Sequence, residues 1–113
     1  MVSKEYTTRG NVLIVSDDHE ASITLANLLR NSGYFCNLTT CANDALSVLS
    51  ALAYDVVIID LALTGENCNE LLKTVRAKYP QTAIIMIASK DSINSAVVAM
   101  ESGANDYVIK PLD

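Results

Sequence analysis

Three carboxylates and one amine stand where apolar runs end. Val56-Val57-Ile58-Ile59 stops at Asp60, Val12-Leu13-Ile14-Val15 passes through Ser16 into Asp17 and Asp18, and Asp106-Tyr107-Val108-Ile109 leads into Lys110-Pro111. Crowded carboxylates repel one another, and a pKa rises unless a cation compensates. Oxygen-only ligands, with no histidine or thiol beside them, suit a hard cation, Mg²⁺ before Zn²⁺. An ammonium in the same place can pair with a carboxylate or with a phosphoryl group carried on one. A carboxylate nucleophile, a divalent ion and a lysine together are equipment for phosphoryl transfer.

That chemistry requires a fold that brings the three run ends together. Strand-like and helix-like segments alternate along the chain. Strands are expected at Val12 to Val15, Tyr34 to Thr40, Val56 to Ile59, Ala83 to Ala88 and Asp106 to Ile109. Helices are expected over Glu20 to Arg30, from a cap at Asn43 through Leu52, from about Asn67 to Tyr79 before Pro80, and over Ser92 to Ser102 before Gly103. Three of the strands are almost wholly apolar, which points to a parallel sheet covered on both faces. The second is less uniformly apolar and reads as an edge. Right-handed crossovers favour a doubly wound α/β sheet, whose ligands gather beyond the carboxyl ends of the strands. In the order 2-1-3-4-5, strands one and three are neighbours roughly 4.8 Å apart, close enough for Asp17 and Asp60 to share one ion.

Composition narrows the alternatives. A chain of 113 residues, half of them hydrophobic, makes one domain with one core. Met1 to Gly10 is a polar extension without a signal-peptide run, and no apolar stretch is long enough to span a bilayer, so a cytoplasmic location is expected. The net charge of −5, without a basic stripe, argues against direct nucleic-acid binding by this domain. Cys36, Cys41 and Cys68 form no C-x-x-C, and with His19 the sole histidine a zinc site is disfavoured. The four glycines are scattered and make no dinucleotide fingerprint.

The stretches VLIVSDD, YDVVIIDLAL, AIIMIAS and SGANDYVIKP, in this order and spacing, resemble the receiver domain of bacterial two-component response regulators. The resemblance covers Asn11 to Asp113. It implies a flavodoxin-like five-stranded fold in which an aspartate takes a phosphoryl group from a histidine kinase. Asp60 is then the phosphoacceptor and Lys110 the phosphoryl contact. Asp17, Asp60 and the backbone carbonyl of Ala62 would hold Mg²⁺, with Asp18 an additional candidate. Tyr107 falls on the aromatic switch position. The domain's own chemistry would be slow self-dephosphorylation, not enzymatic turnover, and its output would be signal transduction such as transcription regulation.

Four positions depart from the pattern. Ser16 stands where the first of two acids is usual, Ala88 where a hydroxyl residue is usual, Thr64 where proline and Cys68 where glycine are common. Ser16 and Ala88 leave open a degenerate receiver that binds protein partners without phosphate. A phosphatase of the haloacid-dehalogenase kind needs a second acid two residues after its nucleophile, and Ala62 stands there. Receivers also usually continue past Lys-Pro into a fifth helix. Its apparent lack leads to the expectation of a longer protein with an output domain, or of a second chain covering the exposed sheet face, including a homodimer through the α4–β5 side.

Overall fold

The computed structural model describes residues 8–62 and 68–111. Five strands run β1 (Asn11–Val15), β2 (Phe35–Thr39), β3 (Val56–Asp60), β4 (Ala83–Ala88) and β5 (Asp106–Ile109). Between them lie α1 (His19–Asn31), α2 (Ala42–Ala51), α3 (Cys68–Lys78) and α4 (Ile93–Glu101), with a short 3-10 turn, Lys90–Ser92, ahead of α4. The strands form one parallel sheet in the order β2-β1-β3-β4-β5. The flavodoxin-like doubly wound fold is therefore present, with β2 at an edge as its mixed composition predicts.

Strand alternation sends side chains into two separate clusters. Leu13, Val15, Val57, Ile59, Ile84 and Met86 pack with residues of α2, α3 and α4. Val12, Ile14, Ile58 and Ile87 face the other way, with Ala26, Leu25 and Leu29 of α1. On this second face Ile85 and Val56 are only partly buried, and Val108 of β5 is 41% exposed. Among the described residues, cover on the β4–β5 side is thin.

Helix starts differ in detail from the sequence reading. Asp18 caps α1, accepting from the Ala21 N–H at 3.1 Å. α2 begins at Ala42 with Cys41 as its N-cap, and no side chain caps it. The expected Asn43 cap is thus incorrect: Asn43 lies inside the first turn, where its side chain cannot take the capping role. Asn67 and Thr64 fall outside the described residues.

Arg76 joins three elements near the opposite end of the sheet. Its guanidinium donates to the carbonyls of Gly103 (2.9 and 3.1 Å), Pro80 (3.2 Å) and Thr82 (2.8 Å), and to Asn105 Oδ1 (2.7 Å). Asn105 Oδ1 in turn accepts from the Ile84 N–H. Gly103 turns the chain between α4 and β5 with φ +121°, a conformation that favours glycine.

Candidate functional site

Backbone bonds carry each strand end to one rim. The Ser16 N–H donates to the Thr39 carbonyl, the Leu61 N–H to the Ile87 carbonyl, and the Lys110 N–H to the Ala88 carbonyl. These bonds extend parallel pairing just beyond β1, β3 and β5, so Ser16, Asp60 and Lys110 emerge side by side. The Lys110–Pro111 peptide bond is cis.

Asp60 is 1% exposed, yet hydrogen-bond donors meet both of its oxygens. Oδ1 accepts from the Ala62 N–H at 2.9 Å. Oδ2 accepts from the Ser16 hydroxyl at 2.8 Å and from Lys110 Nζ at 3.0 Å. A carboxylate this deeply buried is tolerable when it is paired and hydrogen-bonded. The Cys68 thiol, at the start of α3, donates to the Asp60 backbone carbonyl at 3.3 Å. The thiol thereby ties α3 to the strand end.

Lys110 bridges two carboxylates, with Asp18 Oδ2 at 3.4 Å. Burial draws the ammonium's pKa down, but hydrogen bonds and charge from Asp60, then Asp18, outweigh it and hold the pKa above its ordinary value. The Ala21 N–H, more than Lys110, pulls the Asp18 carboxyl below its usual range. Asp18 thus starts a helix and faces the lysine, two roles from one residue.

Asp17 is exposed at the same rim. Among the described residues no three or more of His, Cys, Asp and Glu cluster tightly enough to hold a metal by themselves. Mg²⁺ asks for less: it is usually held by one or two carboxylates and keeps several waters. Asp60 with Asp17 or Asp18, and backbone oxygen at Ala62, offer an all-oxygen donor set of the right chemistry for that ion.

The remaining candidates sit nearby. Ala88 is buried at the end of β4, and its methyl group offers no donor. The hydroxyl of Ser89 lies 3.0 Å from that of Ser92, within the turn that leads to α4. Tyr107 is opposite Met86 on β5, half-buried against the cluster that includes α2, α3 and α4. Sequence reasoning treated Ser16 as a departure from a pattern. It could not see that the hydroxyl reaches Asp60, although a serine directly before two acids at a strand end is a signal worth following.

The family model described as the response regulator receiver domain matches residues 12–113. The chain belongs to this family. RegX3 of Mycobacterium tuberculosis, a sensory transduction protein, is 37% identical over 101 residues, covering 89% of this chain and 44% of the relative. YkoG of Bacillus subtilis, an uncharacterized transcriptional regulatory protein, is 31% identical over 105 residues, covering 93% and 46%. The chain thus spans less than half the length of either relative. Among solved structures, a putative response regulator from Chloroflexus aurantiacus superposes with a TM-score of 0.85 at 30% identity, covering 92% of this chain and 87% of that one. Full-length FixJ from B. japonicum gives 0.86 at 30% identity, covering 95% and 53%. This is a receiver domain of two-component signalling, a regulatory family, and no helix among its described residues is long and apolar enough to cross a membrane.

Proposed function

We propose that this receiver accepts a phosphoryl group on Asp60 from a histidine kinase and relays its phosphorylated state to an output domain or partner protein. The observation that carries the reading is the buried Asp60 carboxylate with Lys110 Nζ at 3.0 Å at the open end of the sheet. In the transfer, an Asp60 carboxylate oxygen bonds to phosphorus as the N–P bond of the kinase's phosphohistidine breaks. The electron pair returns to the imidazole, which takes a proton. Lys110 shifts its charge from the carboxylate to the incoming phosphoryl oxygens. Slow attack by water later restores the carboxylate and releases phosphate.

Asp17, Asp60 and the Ala62 carbonyl, with Asp18 as an additional ligand, would hold Mg²⁺, which would supply charge neutralisation for the phosphoryl oxygens. Tyr107 acts as the aromatic that reports the change. With Ala88 in place of a hydroxyl residue, its coupling to the phosphoryl group is weakened by about 1.5–3 kcal/mol, the worth of one hydrogen bond to a charged oxygen. Exposed Ile93, Val97 and Val98 on α4 and Val108 on β5 support an output or homodimer contact through the α4–β5 side.

Incubation with Mg²⁺ and acetyl phosphate should raise the intact mass by one phosphate, and Asp60→Ala should abolish the increase. No increase, or one that survives the substitution, overturns the reading. A phosphate-independent binding module is the second reading, favoured by Ser16 and Ala88 together. It predicts no mass increase and the same partner affinity for Asp60→Ala as for the natural chain.

A further inference from the structure

We propose that Ser16 is a positioning residue for Asp60, fixing the orientation of the carboxylate that reacts; the inference rests on the reading of Asp60 as phosphoacceptor. The bond network sets the direction of the hydroxyl proton. The Asp18 N–H donates to Ser16 Oγ at 3.0 Å, so Oγ is an acceptor there and its own proton is available to Asp60 Oδ2 at 2.8 Å. Ser16 is 3% exposed, and its N–H is held by the Thr39 carbonyl. The hydroxyl is thus one rotation away from a buried, hydrogen-bonded strand end.

The two donors to Oδ2 constrain it unequally. Lys110 reaches it from a long, partly exposed side chain that also faces Asp18. Such a chain supplies charge but leaves orientation loose. Ser16 supplies little charge and a fixed direction. Among the described residues, Ser16 and Lys110 meet Oδ2 and the Ala62 N–H alone meets Oδ1, so the two oxygens are inequivalent and Oδ1 keeps the freer lone pair. β4 offers no substitute, since it ends in the methyl of Ala88.

A donor on a carboxylate oxygen also withdraws charge from it, which would slow attack. Lys110 already makes the charged bond to the same oxygen, so the neutral hydroxyl adds little to that withdrawal. Misplacing a reacting atom by 1 Å costs on the order of 10²-fold. Orientation is the larger effect.

The test measures phosphorylation of the full chain by acetyl phosphate in Mg²⁺, following intact mass with time. There the Asp60 oxygen–phosphorus bond forms as the P–O bond to acetate breaks and acetate leaves with the electron pair. Ser16→Ala should slow uptake about tenfold or more, and Ser16→Thr, which restores the hydroxyl, should return it to within about threefold of the natural chain. Mg²⁺ affinity, followed by NMR titration without phosphodonor, should fall by a smaller factor than the rate of uptake, because Asp60 would share the ion with Asp17 and the Ala62 carbonyl, whereas it alone carries the reacting oxygen. Uptake by Ser16→Ala that equals or exceeds the natural rate overturns the inference, as does failure of Ser16→Thr to restore it. If Ser16→Ala does not fold, Ser16→Cys, a weak donor, takes its place with the same expected slowing.

A second arm separates this inference from the phosphoacceptor reading. In a double-mutant cycle on the urea midpoint, the loss from Ser16→Ala should shrink in an Asp60→Ala background. Additive losses overturn the Ser16–Asp60 tie even where phosphate is taken up. A coupled cycle in a chain that takes up no phosphate leaves the tie standing and overturns the phosphoacceptor reading, and with it the positioning role in catalysis.

Discussion

At the scale of single residues, Asp60 depends on three donors, and their removal has graded consequences. Lys110→Ala leaves a charged, buried oxygen with, among the described residues, only the Ser16 hydroxyl, and should cost about 1–3 kcal/mol in urea unfolding. Adding Asp60→Asn to that variant should return part of the loss, because the unpaired charge is gone. Asp18 gives a pH signature. Its folded pKa lies below the ordinary 3.8, so its contribution is fully present above that value and is lost as pH falls through the lower folded pKa. Lys110 runs the other way: its pKa is raised, so its contribution is full below the ordinary 10.5 and is lost as pH climbs through the folded pKa. Urea midpoints measured against pH should therefore fall at both extremes, and Asp18→Asn, which keeps a capping oxygen, should flatten the acid side and, by removing the weaker of Lys110's two carboxylate partners, lessen the alkaline fall in part. Asp60 and Lys110 were legible in the sequence because each ends an apolar run. Ser16 was not, because the direction of a hydroxyl is set by a backbone N–H two residues away.

At the scale of elements, the apolar runs located every strand to within a residue or so. Val57 to Ile59 are buried on both faces and Ala83 to Ala88 mostly so, and such runs have few alternatives. Helix starts were less legible. Asp18 and Asn43 are both good capping residues, but α1 uses its cap while α2 starts one residue before Asn43, without a side-chain cap. Propensity names the candidates, and packing of Ala45 and Leu49 against the sheet chooses the frame. Arg76 shows what pattern reading misses altogether, since its role appears only when α3, the start of β4 and the α4–β5 turn are assembled. Arg76→Ala should lower stability by about 2–3 kcal/mol in urea unfolding by leaving several carbonyls without this donor. Arg76→Lys should recover little, because an ammonium cannot span the same fork of acceptors. Gly103→Ala should cost at least about 1 kcal/mol, since φ is +121° and the added Cβ would sit 3.2 Å from Arg76 Cγ.

At the scale of the whole molecule, the sheet order turns three distant sequence stretches into one rim, and the same order leaves its β4–β5 side thinly covered. A doubly wound parallel sheet could be read from the alternation of elements and the handedness of crossovers, but these rules do not choose order 2-1-3-4-5 over the other common doubly wound order. What covers Val108 could not be read either, because exposure of an apolar side chain says nothing of its partner. A homodimer through α4 and β5 predicts that light scattering at micromolar concentration gives a mass above that of one chain, rising with concentration. A single-chain mass throughout contradicts it.

The account's central claim is that Asp60, and no other carboxylate at this rim, carries the phosphoryl group. Borohydride reduction of protein treated with acetyl phosphate and Mg²⁺, followed by peptide mass mapping, tests it directly, since reduction of an aspartyl phosphate leaves homoserine. Homoserine at position 60, and aspartate retained at 17 and 18, is the result predicted. Homoserine at 17 or 18, or unmodified aspartate at all three positions, contradicts it.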